Sequence, residues 1–287
     1  MTASPGMKIS LIQMNSGSDK PANLAAATAL IDRVVADERP DWILLPECFD
    51  YMGGTPDGKA LAAESLPDGP AYRALQDLAR RHRVFIHAGS ILERIDGEPR
   101  LGNTTLVFDR TGAEVARYRK IHLFDITAPD GTEYKESASF KPGDAVVTYD
   151  CEGITVGCSI CYDLRFPQLF QALADRGAEM IALPAAFTLQ TGKDHWEVLC
   201  RARAIETETY FCAAAQTGSF MQGNQTRSTY GHSLVADPWG HVVAQASDGV
   251  GSVTTRIDVE RVSKVRAMIP VAQHRAAIPL VDRGPAS

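Results

Sequence analysis

No stretch of this sequence offers the roughly 20 consecutive apolar residues that a bilayer-spanning helix requires, so no membrane span is expected. Positive charge is not in excess either: Lys and Arg number 29 against 35 Asp and Glu, a net charge of −6. Binding to nucleic acid or an anionic membrane surface relies on a basic face, so neither partner is expected. The opening MTASPGMK lacks the basic and apolar regions of a secretory signal, which makes the cytoplasm the expected compartment. Cysteines are few, and four of the six (Cys151, Cys158, Cys200, Cys212) lie in apolar runs. They read as reduced small hydrophobes, not as a disulfide framework. Cys158 and Cys161 form a C-x-x-C, but no second Cys or His pair completes a zinc site. A redox C-x-x-C would open a helix, whereas Cys158 sits inside a strand-like run. No metal and no cofactor are expected.

What the chain does hold is an alternation of short apolar runs and amphipathic stretches. Hydrophobic residues make up 45% and charged residues 22%, ordinary values for a globular protein. Period-two or buried-type runs predict strands at 8–14, 42–45, 84–92, 104–109, 115–118, 154–160, 180–183, 211–215, 233–235, 241–245 and 253–257. Helical spacing predicts helices at 23–36, 72–82, 168–176, 196–207 and 259–267. Asp109-Arg110-Thr111-Gly112 and Asp237-Pro238-Trp239-Gly240 read as turns. Residues 50–60 and 124–142 read as loops, the second with a turn at Pro129-Asp130-Gly131. No linker or repeat divides the 287 residues, so one domain is expected, an α/β fold whose sheet is covered by helices.

Three apolar runs end on chemically useful side chains. Cys161 follows the run from Ile154, Glu47 ends Trp42-Ile43-Leu44-Leu45-Pro46, and Lys120 follows the run from Val115. A thiol, a carboxylate and an ammonium converging at one sheet edge would suit nucleophilic catalysis. A free thiol with pKa about 8.5 is only a few per cent ionised at neutral pH, so it needs a base beside it. Glu47 is the candidate base. Lys120 offers a fixed positive charge, expected to lower the thiol pKa and to stabilise an oxyanion together with the backbone N–H of Tyr162. His122 offers a rival Cys–His dyad, and Asp163 with Arg165 a local ion pair behind Cys161.

The segments LLPE, YRKIHLFD and GCSICYDLRFPQ resemble the three signature segments of the nitrilase superfamily of carbon–nitrogen hydrolases. The similarity continues through KESASFKPGD, ALPAAFTLQTGKDHWEVLCRARAIE and YGHSLVADPWG, in the family's order over nearly the whole chain. The resemblance implies a four-layer α-β-β-α sandwich and a Glu-Lys-Cys triad at Glu47, Lys120 and Cys161. It further implies a second glutamate at Glu136 and hydrolysis of a C–N bond through a thioester. Pairing into a homodimer through the helical layer and the C-terminal segment, from about residue 268, is implied as well. Tyr162 and Asp163 after the cysteine resemble the amidase-type branch and not the true nitrilases. Within that branch the chain looks most like the deaminated glutathione amidases, with the omega-amidases, acting on alpha-ketoglutaramate, or another small-amide hydrolase as alternatives. A catalytically inactive binding subunit is the alternative of a different class. Thr188, Thr191, Arg227 and Tyr230 are the candidate substrate-binding residues by their position in the matched segments.

Overall fold

The computed structural model describes residues 6–128 and 131–277. Its larger sheet runs in the order Gly251–Arg256, Lys8–Gln13, Trp42–Leu44, Phe85–His87, Leu101–Phe108, Ile91–Arg94, Glu64–Ser65, with Glu114–Arg119 also paired to Leu101–Phe108. The second runs Thr148–Cys151, Ile154–Cys158, Met180–Ala185, Tyr210–Ala215, Leu234–Ala236, Val242–Gln245. Strand alternation decides which core each residue joins. Ile9, Leu11, Trp42 and Leu44 pack with Val156, Met180, Ala182, Cys212 and Val235 between the sheets. Ile12, Met14, Ile43 and Leu45 point the other way, onto Ala27, Leu30, Ile31 and Val34 and onto Leu75, Leu78 and Ala79 of two helices. Leu169, Leu173, Trp196 and Cys200 of the helices Pro167–Asp175 and Leu189–Thr207 cover the second sheet. The result is the α-β-β-α sandwich. The indole N–H of Trp42 donates to the Tyr149 hydroxyl across the two sheets at 2.8 Å.

Local chemistry sets the helix ends. Asp19 accepts from the N–H of Ala22 at the start of Lys20–Glu38, and Thr188 caps Leu189–Thr207. The helix therefore begins seven residues before its predicted start at 196, because its first turn is polar while its cap is strong. The expected loop at 50–60 contains the helix Pro56–Ala62, capped by Thr55 and opened by a proline. The run 84–92 is two strands, not one. It breaks at Gly89, whose φ is +62° and where an added Cβ would lie 2.1 Å from the Pro46 carbonyl oxygen.

The loop at 124–142 carries a small hairpin, Asp125–Thr127 with Glu133–Lys135, then a short turn Glu136–Ala138. Pro129 and Asp130 of its expected turn lie outside the described residues, as do residues 278–287 of the C-terminal segment. Two further features were not expected: the strand Thr148–Cys151 and the hairpin Thr217–Gln222 with Gln225–Tyr230. No helix among the described residues is long and apolar enough to cross a membrane.

Candidate active site

Glu47, Lys120, Glu136 and Cys161 meet at the floor of one cavity of about 530 Å3. Each arrives from a different element. Glu47 stands just beyond the strand Trp42–Leu44, and Gln216 ties its backbone carbonyl to the second sheet at 3.0 Å. Lys120 follows the strand Glu114–Arg119, where its N–H donates to the Asn103 carbonyl at 2.9 Å. Glu136 opens the short turn after the Glu133–Lys135 strand, and the Phe124 N–H donates to its Oε2 at 2.6 Å.

The Lys120 ammonium, 2% exposed, lies between the two carboxylates: 2.9 Å from Glu47 Oε1 and 2.9 Å from Glu136 Oε2. Both negative neighbours hold its pKa well above the usual lysine value, although burial by itself acts the other way. It is a permanent cation. Asn103 Nδ2 donates to both glutamates, at 2.9 and 3.2 Å, and fixes their orientation. Sequence reasoning missed Asn103. It stands beside Gly102, Thr104 and Thr105, so nothing in the sequence marks it out.

Cys161 does not end a strand, as its apolar run suggested. The strand stops at Cys158, and Cys161 opens a short 3-10 turn with φ +48°. A left-handed conformation at a non-glycine residue costs about 1–3 kcal/mol and persists only when its surroundings enforce it. Asp163 supplies much of that enforcement. It accepts from the Ile160 N–H at 2.8 Å, from the Tyr118 hydroxyl at 2.7 Å and from the His122 N–H at 3.0 Å.

The expected Asp163–Arg165 ion pair is absent: Arg165 instead lies over the Phe187 ring, 5.5 Å from its centroid, and against His195. His122 does not face the thiol either. Its Nδ1 is 2.7 Å from Asp163 and its ring stacks on Phe166 at 3.7 Å. It does not line the cavity.

The thiol lines the same cavity as Glu47 and Lys120, and the charges of both act on it. Burial, then the Glu47 charge, push its pKa well above the usual thiol value, and Lys120 offsets this only in part. Lys120 thus acts on the thiol in the expected direction, but burial and Glu47 outweigh it, and at rest the sulfur keeps its proton. Cys158 sits fully buried in the inter-sheet core, where desolvation raises its pKa. All six cysteines are free thiols. Among the described residues no group of three or more His, Cys, Asp or Glu side chains is placed to hold a metal ion.

Of the candidate binding residues, Thr188, Thr191 and Arg227 line the cavity. Thr188 Oγ1 is 2.8 Å from Thr191 Oγ1, so both hydroxyls are also part of the helix cap. Tyr230 does not line the cavity. Its side chain packs on Gly192, where a Cβ would lie 2.3 Å away, and its ring stacks on His232 at 4.3 Å. Strand alternation explains this correction, since Arg227 and Tyr230 lie three residues apart and face opposite ways.

A buried carboxylate–ammonium–carboxylate row thus stands in one cavity with Cys161. The carbon–nitrogen hydrolase model matches residues 8–267, and the chain belongs to that family. It is 39% identical to the deaminated glutathione amidase of Synechocystis sp. over 93% of this chain and 97% of that protein. It is 36% identical to the omega-amidase NIT2 of Mus musculus over 94% of this chain and 95% of that protein. The crystal structure of the Caenorhabditis elegans NitFhit protein superposes with a TM-score of 0.86 at 38% identity, covering 96% of this chain and 66% of that one. By sequence, the match spans 60% of that nitrilase and fragile histidine triad fusion protein.

Proposed function

We propose that this protein hydrolyses the amide bond of a small carboxylate-bearing substrate through a thioester on Cys161, with residues 8–267 acting as one catalytic unit. The observation that carries this reading is the Lys120 ammonium, 2.9 Å from Glu47 and 2.9 Å from Glu136, in the cavity that Cys161 also lines. Because the resting thiol is protonated, proton transfer accompanies attack. Glu47 takes the Sγ proton as sulfur adds to the amide carbon. The carbonyl electrons move onto oxygen, and the Lys120 ammonium and the Tyr162 N–H stabilise the oxyanion. When the C–N bond breaks, Glu47 returns the proton to the departing amine. Water then attacks the thioester, losing its proton to Glu47 with Glu136 holding the cation in place, and the carboxylic acid and free thiol are released.

The amidase names of the Synechocystis and mouse relatives bear on the substrate. We assign deaminated glutathione first. Alpha-ketoglutaramate is the second reading, favoured by the mouse omega-amidase at 36% identity. Both release alpha-ketoglutarate, so one coupled assay compares them as kcat/KM. Cys161→Ala is expected to abolish release while retaining the wild-type melting temperature; turnover in that variant would refute the thioester route.

We also propose a homodimer in a reducing compartment, the cytoplasm. Exposed Leu189, Val198 and Ile205 on one helix, with Trp239 and Val243 nearby in sequence to its packed strands, suit burial against a second copy. A monomer by light scattering would contradict it.

A further inference from the structure

The cavity floor carries two carboxylates against one ammonium, so a second carboxylate on the substrate is repelled there and needs a cation elsewhere. Arg227 is such a cation. It lines the cavity wall, yet forms no ion pair among the described residues. Its Nη2 donates to the neutral Gln225 amide oxygen at 3.0 Å, and its Nε is buried without a partner. By contrast, Arg110, Arg119 and Arg203 are each held by a glutamate.

Arg227 is nonetheless positioned. Its guanidinium lies 4.4 Å from the centroid of Tyr134. Tyr134 meets Phe124 edge-on at 5.0 Å, and Phe124 meets Tyr162 at 5.0 Å. Tyr162 directly follows the nucleophile. A continuous aromatic wall therefore leads from Cys161 to Arg227.

The hairpin that bears Arg227 is itself docked. Its tip pairs with Gly54 through the Met221 carbonyl and the Gly223 N–H, both at 2.9 Å. Around Arg227 the hairpin is open to solvent at Gln225 and Thr226. The guanidinium thus stands at the outer end of the wall.

We propose that Arg227, stacked on Tyr134, is a specificity-determining residue that binds a carboxylate in the departing amine of the substrate. The inference rests on the amide hydrolysis proposed above. The acyl group stays bound to sulfur while the amine leaves through the cavity mouth, so a cation at the outer end meets the amine portion. An amine ending in a carboxylate, such as a dipeptide, has the required chemistry.

The test compares three amides sharing the alpha-ketoglutaryl group: deaminated glutathione, its C-terminal amide, and alpha-ketoglutaramate, which releases only ammonia. For the wild type, kcat/KM for the free acid should exceed that for its neutral C-terminal amide about 10- to 100-fold. Arg227→Met should bring this ratio close to one, and Arg227→Lys should restore part of it without the planar stack. A ratio retained in Arg227→Met, or an equal loss on all three amides, overturns the assignment. If the wild type cleaves none of the three, the hydrolytic reading falls instead. The dipeptide amine and its C-terminal amide are then titrated calorimetrically into Cys161→Ala, with and without Arg227→Met. Preference for the free acid only when Arg227 is present supports the site, and no preference sinks it.

Discussion

Among the described residues two lysines are each set between two carboxylates, Lys120 buried and Lys20 half-buried, and of the two only Lys120 lines the active-site cavity. Lys120 lies between Glu47 and Glu136 beside the Cys161 thiol. Lys20 lies between Asp50 and Glu64, at 2.9 and 2.7 Å, and also donates to the Ala62 carbonyl. The ion triplets look alike; their remaining hydrogen bonds do not. Glu64 spends its oxygens on the N–H groups of Ala71 and Tyr72 at the start of the helix Pro70–His82. Asp50 shares its segment with Asn23, which donates to its carbonyl at 2.9 Å. The Lys20 triplet therefore anchors the chain on both sides of the helix Pro56–Ala62. The Lys120 triplet lines a cavity together with a thiol, whereas Lys20, Asp50 and Glu64 do not line it. Chemistry follows from that access, not from the ion row itself.

Replacing the two lysines separates these roles, with the largest effect at the cavity. Lys120→Ala removes the oxyanion cation, and a loss of about 100-fold or more in kcat is expected, exceeding the change in KM. A change confined to KM would make Lys120 a binding residue. Lys20→Met strands two buried carboxylates, and a loss of about 3–5 kcal/mol in unfolding free energy is expected from denaturant titration. In its folded fraction kcat should stay within about twofold of wild type, because nothing in this triplet touches the cavity floor; a large fall in kcat would end the contrast drawn above.

Asp50 offers a pH test of intermediate size. Burial, the largest cause, raises its carboxyl from 3.8 to about 6 despite Lys20. A pKa higher in the fold than in the unfolded chain means the fold binds the proton more tightly. The contribution of this group to stability is thus fullest below pH 3.8 and declines as pH rises to about 6. The melting temperature of wild type minus that of Asp50→Asn should accordingly fall as pH rises through that window. A difference that rises toward neutral pH would contradict the sign.

The smallest expected effect is at His122. His122→Gln loosens the Asp163 turn and should lower kcat by less than about tenfold. A Cys–His dyad would instead demand a loss of about 1,000-fold or more.

Much of the candidate site was legible in the sequence because its members sit in compact segments whose spacing is local. Glu47, Lys120 and Cys161 each follow a recognisable run, and the resemblance supplied Glu136. Asn103 was not legible, since its role exists only through two glutamates 56 and 33 positions away. Tyr230 was misplaced because a segment match says nothing about which face of a strand turns inward. The hairpin bearing Arg227 was not expected, because its strands are mostly polar and exposed and carry no hydrophobic alternation to mark them.

By itself, then, the sequence determined the secondary elements with strong periodicity, the helix caps, the α/β class and the identity of the reactive groups, all consequences of neighbours a few positions apart. Tertiary structure decided which lysine stands in the cavity beside Cys161 and which anchors the chain, that burial raises the Cys161 thiol pKa, and that Arg227 stands without an ion pair among the described residues at the outer end of an aromatic wall. Those outcomes depend on burial and on charges brought together from distant segments, and electrostatic energies in a desolvated site follow distance in space, not position along the chain.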